Sequence, residues 1–231
     1  MEKSYLKIKD IYAVLWGAKS DKLYIYVHGK KGNKEDAELF AEKAAAKGFQ
    51  VLSFDIPGHG DRTEEQYPYV PWNGARDLDI IGEYARSGWD EVSLCAVSIG
   101  AYFSLLAYGE VFLRKCLFLS PILNMELLIQ NMMKWFNVDE ETLREKQEIP
   151  TPMDETLSWD YYRYVRENPI TKWNVPTAIL YGSQDGLTER KTAEGFAERF
   201  SCKLTVLEGG GHWFQTKREL TFLSRWLDEQ I

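Results

Sequence analysis

Ser98 is where this chain could do chemistry. It stands in Ala96-Val97-Ser98-Ile99-Gly100, between an apolar run at Glu91 to Ala96 and a helically spaced run at Ala101 to Tyr108. Strand, tight turn and helix with serine at the turn lift a hydroxyl off the backbone, within reach of a substrate and a base. The pattern is one residue from G-x-S-x-G, with Ala96 at the first glycine position. Strand and helix pack closely at such a turn, so its flanking positions must be small, and alanine is the smallest departure.

A serine hydroxyl is a weak nucleophile and needs a base oriented by a third group. The chain has three histidines, so each can be weighed. His212 follows Gly209-Gly210-Gly211 after a strand end and is the candidate base. Asp185, in Tyr181-Gly182-Ser183-Gln184-Asp185-Gly186, leaves another strand end and is the candidate orienting acid. It also satisfies the chain order Ser, Asp, His. Asp154 and Asp160 satisfy that order too, but fall in a segment of different character. His28-Gly29 ends the run Leu23 to Val27. The loop after it can present the backbone N–H of Lys30, which with that of Ile99 would face a developing oxyanion. His28 is expected to support this loop by hydrogen bonding rather than to act as base. His59, in Asp55-Ile56-Pro57-Gly58-His59-Gly60, reads as structural, with a place on the wall of the site as the second reading. The Lys30 and Lys31 side chains read as solvated. The sharper alternative is that one of them draws in an anionic substrate.

These residues need an ordered set of strand ends to meet, and the pattern supplies one. Strands are expected at Tyr5 to Ile8, Ile11 to Trp16, Leu23 to Val27, Phe49 to Phe54, Glu91 to Ala96, Lys115 to Leu119, Val175 to Tyr181 and Lys203 to Leu207, with the first two able to form a hairpin. Helices are expected at Glu35 to Lys47, from an Asn73 cap to about Arg86, after the Ser98 turn, at Glu189 to Phe200 and at Phe214 to Gln230. Short apolar strands alternating with helices predict an α/β fold, a parallel sheet covered on both faces. Residues 121–173 break the rhythm. They hold Met125, Met132, Met133 and Met153, with Trp135, Phe136, Trp159, Tyr161, Tyr162 and Tyr164. A stretch this long between strands is functional or has structure of its own. It reads as a helical cap over the sheet's C-terminal edge, on a core of residues 1–120 and 174–231. Its aromatics either only pack the cap or line an adaptable apolar pocket. Trp135, Trp159 and Trp213 are the candidates to touch substrate.

Composition narrows the function. The chain has 231 residues, 45% of them hydrophobic, enough for one domain with a sizeable core. Its net charge of −7 argues against binding nucleic acid through a basic surface or anchoring electrostatically to a membrane. No segment reads as a signal peptide or a transmembrane span. Cys95, Cys116 and Cys202 are odd in number and far apart, as expected of reduced thiols in the cytoplasm. Metal-site spacings, a Rossmann G-x-G-x-x-G and a Walker loop are all missing from the sequence.

Taken together, His28-Gly29 after a strand, the 55–60 turn, the elbow at Ser98, Asp185 after a late strand and His212 before the last helix resemble the α/β-hydrolase superfamily, in particular its small serine esterase, lipase and aminopeptidase-like members. The resemblance spans nearly the whole chain. It implies a mostly parallel sheet of about eight strands with a cap inserted after the sixth. It also implies acyl transfer to Ser98 followed by hydrolysis through His212, with no cofactor. Ala96 departs from the family pattern at the elbow. Asp61 departs from it after Gly-His-Gly, where serine is frequent. The expected substrate is a small ester with an apolar or aromatic part. A thioesterase, an amidase or peptidase, or a carbon–carbon hydrolase would use the same triad, and a binding module without turnover is the alternative of another class.

Overall fold

Three strands open the chain: β1 (Lys3–Ile8), β2 (Ile11–Trp16) and β3 (Lys22–Val27). A 3₁₀ turn at Lys34–Ala37 leads into α1 (Glu38–Ala46), followed by β4 (Gln50–Phe54) and α2 (Pro71–Gly88). Next come β5 (Glu91–Val97), α3 (Ile99–Ala107) and β6 (Cys116–Leu119). After β6 lie α4 (Met125–Trp135), α5 (Glu140–Lys146), β7 (Glu148–Thr151), β8 (Glu155–Ser158) and α6 (Trp159–Glu167). The chain closes with β9 (Thr177–Gly182), α7 (Arg190–Arg199), β10 (Lys203–Leu207) and α8 (Lys217–Gln230). This computed structural model describes residues 1–109, 112–153 and 155–231.

Eight strands form one sheet in the order β1-β2-β4-β3-β5-β6-β9-β10. The β1–β2 and β2–β4 pairs are antiparallel, and the others are parallel. Side chains alternate across each strand, so one sheet needs two coverings. Trp16, Tyr24, Val51, Cys95, Leu117 and Leu180 bury against Phe40 and Ala44 of α1 and Trp226 and Leu227 of α8. Ile25, Leu52, Leu94, Ala96 and Phe118 alternate with them to the other face, toward α3, which packs on β3 and β5.

The register places the reactive loops. Val27 pairs with Phe54 and with Ala96, Val97 with Leu119, Leu119 with Leu180, and Leu207 with Gly182. Parallel strands that end level release their following residues at one edge. His28, Asp55, Ser98, Ser183 to Asp185, and Glu208 to His212 therefore emerge together.

Two expected helix starts move. Val70 is the N-cap of α2 and Pro71 its first residue, while Asn73 lies inside the helix and gives its side-chain N–H to Pro68 O at 2.8 Å. Proline suits the first helical position, where its missing N–H costs nothing. At the C-terminal end, Phe214 has φ +43, and α8 starts only after Thr216.

The chain divides into two compact units, Met1–Leu123 with Lys172–Ile231, and Asn124–Thr171. Residues 121–123 and 172–173, expected in the cap, belong with the sheet. Ile122 N–H bonds Ser98 O at 3.1 Å, and Trp173 stacks on Phe118 at 5.5 Å. The second unit is not wholly helical. β7 and β8 form an antiparallel hairpin, with Glu148 opposite Ser158 and Thr151 opposite Glu155. Asn124, Asp139 and Ser158 cap its helices with their side chains, and α4 packs on α6. Among the described residues, no helix is long and apolar enough to cross a membrane.

Candidate active site

Ser98 sits between β5 and α3 with φ +51 and ψ −118. A non-glycine residue held there costs about 1–3 kcal/mol, so its surroundings must impose it. Two hydrogen bonds do so: Ser98 N–H donates to Leu119 O at 3.0 Å, and Ser98 O accepts from Ile122 N–H. Gly100 lets α3 approach β3, since a Cβ there would stand 2.6 Å from His28 O and 2.8 Å from Val27 O. Ala96 is fully buried, in register with Val27 and Phe118 of the neighbouring strands.

Ser98 Oγ lies 2.8 Å from His212 Nε2, and His212 Nδ1 lies 2.7 Å from Asp185 Oδ2. The other Asp185 oxygen accepts Leu187 N–H at 2.8 Å and Thr188 N–H at 3.0 Å, which fixes the carboxylate plane. A carboxylate only accepts, so Nδ1 carries the ring proton and Nε2 is free to accept from the Ser98 hydroxyl. The imidazole is only 4% exposed and the carboxylate 0%. A hydroxyl in this setting can lose its proton to the ring as its oxygen attacks a carbonyl carbon, with the imidazolium stabilised by the carboxylate behind it. Of the other acids considered, Asp160 lies in the second unit, bonded to Arg163, and Asp154 is outside the described residues.

The loop after β3 is built around Asp55. Its buried carboxylate accepts Lys34 N–H at 2.8 Å, Lys34 Nζ at 2.7 Å and Asp61 N–H at 3.0 Å. Gly60 closes over it, and a Cβ there would fall 2.2 Å from Asp55 Oδ1. Asp61 reaches back to Lys34 Nζ at 2.8 Å, which gives this departure from the family pattern a role as the lysine's second carboxylate. His28 spans the same loop. Its Nε2 accepts Ile56 N–H at 3.2 Å, so its Nδ1–H donates to Gly29 O at 2.7 Å. Gly32 N–H bonds the same carbonyl at 3.1 Å. In a trans peptide C=O and N–H point opposite ways, so this double hold turns Lys30 N–H away from His28. Gly29 abuts Ser98, since a Cβ on it would lie 3.2 Å from Ser98 Cβ. Ile99 opens α3, and its N–H has no acceptor within the helix. Burial lowers the His28 pKa from 6.5 to about 4, so the ring is neutral. His59 is buried beside it, with Nδ1 2.9 Å from Pro57 O and its ring edge-on to Tyr69.

Of the candidate substrate contacts, Trp213 stands against His212, its ring edge-on at 4.7 Å and 57% exposed. Trp135 ends α4 and Trp159 begins α6, where it packs on Tyr162. Among the described residues, no group of three or more His, Cys, Asp or Glu side chains could hold a metal ion.

The profile of the alpha/beta hydrolase family matches residues 25–222. No curated protein matches by sequence. Est1E from Butyrivibrio proteoclasticus, solved with ferulic acid bound, is similar with a TM-score of 0.81 at 20% identity, over 98% of this chain and 96% of that one. Alpha/beta hydrolase domain-containing protein 10 from mouse is similar with a TM-score of 0.75 at 16% identity, over 99% and 98%. The Pyrococcus furiosus esterase Pf2001 is similar with a TM-score of 0.69 at 19% identity, over 99% and 89%. At such identities these likenesses speak for the fold.

Proposed function

The chain belongs to the alpha/beta hydrolase family, and on that premise we propose that it is a serine hydrolase that cleaves a small carboxylic ester. The reading is carried by the unbroken contact from Ser98 Oγ through His212 to the Asp185 carboxylate. Ser98 Oγ attacks the ester carbonyl while its proton passes to His212 Nε2. The oxyanion is met by the N–H groups of Lys30 and Ile99. The His212 proton then goes to the departing alkoxide, leaving an acyl group on Ser98. Water attacks that acyl carbon, gives its proton to Nε2, and the carboxylic acid leaves as Ser98 is reprotonated. Asp185 holds the tautomer throughout and stays ionised.

The exposed Trp213 ring against the base supports an apolar or aromatic group on the substrate, as does the ferulic acid bound by Est1E. Cys95, Cys116 and Cys202 are all free thiols, which supports a reducing, cytoplasmic setting. Hydrolysis of p-nitrophenyl acetate and butyrate tests the reading. Ser98→Ala and His212→Ala should each lower kcat by roughly four to six orders of magnitude. Turnover by Ser98→Ala near the wild-type rate would refute it.

A further inference from the structure

The base is carried on three consecutive glycines, Gly209 to Gly211, the least constrained backbone the chain could offer. An imidazole that must meet Ser98 and Asp185 together needs that freedom removed. The peptide joining Gly210 to Gly211 is gripped at both ends. Its carbonyl accepts Gln184 N–H at 2.8 Å, from the loop that carries Asp185. Its N–H, pointing the opposite way, donates to Glu219 Oε1 at 2.9 Å. The Gly182 backbone lies against its flat side, where a Cβ would stand 2.5 Å from Gly210 O. His212 follows directly.

Among the described residues, Glu219 is the only side chain that hydrogen-bonds this peptide, and it is already engaged. It closes a capping box at the start of α8, with its Oε2 accepting Thr216 N–H at 2.8 Å and Thr216 Oγ1 accepting Glu219 N–H at 3.3 Å. A capping box uses one carboxylate oxygen. Here the second reaches out of the helix to the loop of the base. We propose that Glu219 is a positioning residue for His212, locking the Gly210–Gly211 peptide so that the imidazole stands between Asp185 and Ser98. The proposal rests on the serine-hydrolase reading. The Gly211 N–H first, then Thr216, hold the Glu219 pKa down to about 2, so both oxygens accept throughout the working pH range.

Three variants separate positioning from capping. Glu219→Gln leaves one accepting oxygen for two N–H groups and turns an NH₂ toward the other. Glu219→Asp keeps the charge at the helix start but is one methylene too short to serve both. Thr216→Ala removes half of the capping box and leaves the Gly211 contact intact. On p-nitrophenyl acetate, Glu219→Gln and Glu219→Asp should each lower kcat about tenfold with KM within about twofold, as expected of a displaced catalytic group. Thr216→Ala should lower Tm with kcat within about twofold of wild type. The downfield proton signal of His212 Nδ1–H should persist in Thr216→Ala and broaden or vanish in the Glu219 variants. Wild-type kcat in a folded Glu219→Asp overturns the proposal, as does a loss of kcat in all three variants that simply follows Tm. Failure of the wild-type protein to react with a fluorophosphonate overturns the serine-hydrolase reading itself, whatever the Glu219 variants do.

Discussion

Two loops stand on either side of Ser98 along the sheet edge, and they are held by different means. The loop after β3, residues 28–34, is held by charge and by a buried ring: Asp55 on Lys34, and His28 on Gly29 O. The loop after β10, residues 208–212, is held through its own backbone, by main-chain bonds, by the Ser183 hydroxyl and the Glu219 carboxylate, and by close backbone approach. Gly210 N–H bonds Leu207 O at 3.0 Å, Gly209 N–H bonds Ser183 Oγ at 2.8 Å, and Gly182 makes room for the peptide. In the proposed reaction the first loop has to aim a backbone donor, and a network of fixed polar groups can do that. The second has to aim a side chain that bonds at both ring nitrogens, so its backbone is confined by shape as well as by the Glu219 contact. The first loop should therefore respond to charge and pH, and the second to bulk at Gly182 and to loss of the Glu219 contact.

Asp55→Ala should cause the largest effect. It strands Lys34, whose side chain is 7% exposed, with only the exposed Asp61 for company. Breaking a buried pair this way costs about 3–5 kcal/mol, measurable as a fall in the urea midpoint. A loss below about 1 kcal/mol would mean that charge does not hold this loop.

Acid comes next. The unfolded chain takes up a proton on His28 near pH 6.5, and the folded protein only near 4, chiefly because the ring is buried. His59 and Lys34 push the same way, and Gly29 O and Asp55 oppose them. Between those values the unfolded state binds more protons, so stability rises with pH. The His28 contribution is complete above pH 6.5 and lost as pH falls through 4, about 3 kcal/mol in all. Denaturant melts from pH 7 to 4 should show a shallower slope for His28→Gln than for wild type. Parallel curves would show that His28 does not carry this pH dependence.

Gly182→Ala tests the other loop. Its Cβ would meet Gly211 O at 2.4 Å and Gly210 O at 2.5 Å, so the peptide before His212 must move. Displacement of a catalytic group by about 1 Å costs roughly a hundredfold in rate. Esterase kcat should fall on that scale, and an unchanged kcat would show that shape does not confine the base. The smallest effect belongs to Asp61→Asn. That side chain is 61% exposed, and Asp55 keeps its hold on Lys34, so stability should change by less than about 1 kcal/mol in a urea titration. A larger loss would move the anchor of the loop from Asp55 to Asp61.

The residues that meet at the site were legible because each is announced locally. Ser98, Asp185 and His212 each follow an apolar run ended by a turn, and parallel strands bring such ends to one edge. The means by which the loops are held were not legible. Lys34, Asp55 and Asp61 are joined by the β3–β4 register, and nothing in the residues around Asp61 announces its lysine. Glu219 did have a readable signal, Thr216-x-x-Glu219 ahead of an apolar-faced helix. Its second bond, to Gly211, depends on where the preceding loop turns back. The β7–β8 hairpin escaped because its strands are four residues each, and Pro150 and polar neighbours mask the alternation. The start of α2 lies earlier than Asn73 suggests because Pro71, with no N–H to satisfy, takes the first helical position.

The central claim is that Ser98 is an activated nucleophile. Reaction with a fluorophosphonate probe, followed by mass spectrometry of the labelled peptide, tests it most directly. One label per chain is expected, on Ser98, with none on Ser98→Ala and a greatly slowed reaction in His212→Ala. A wild-type protein that takes no label, or takes it on another residue, would contradict it.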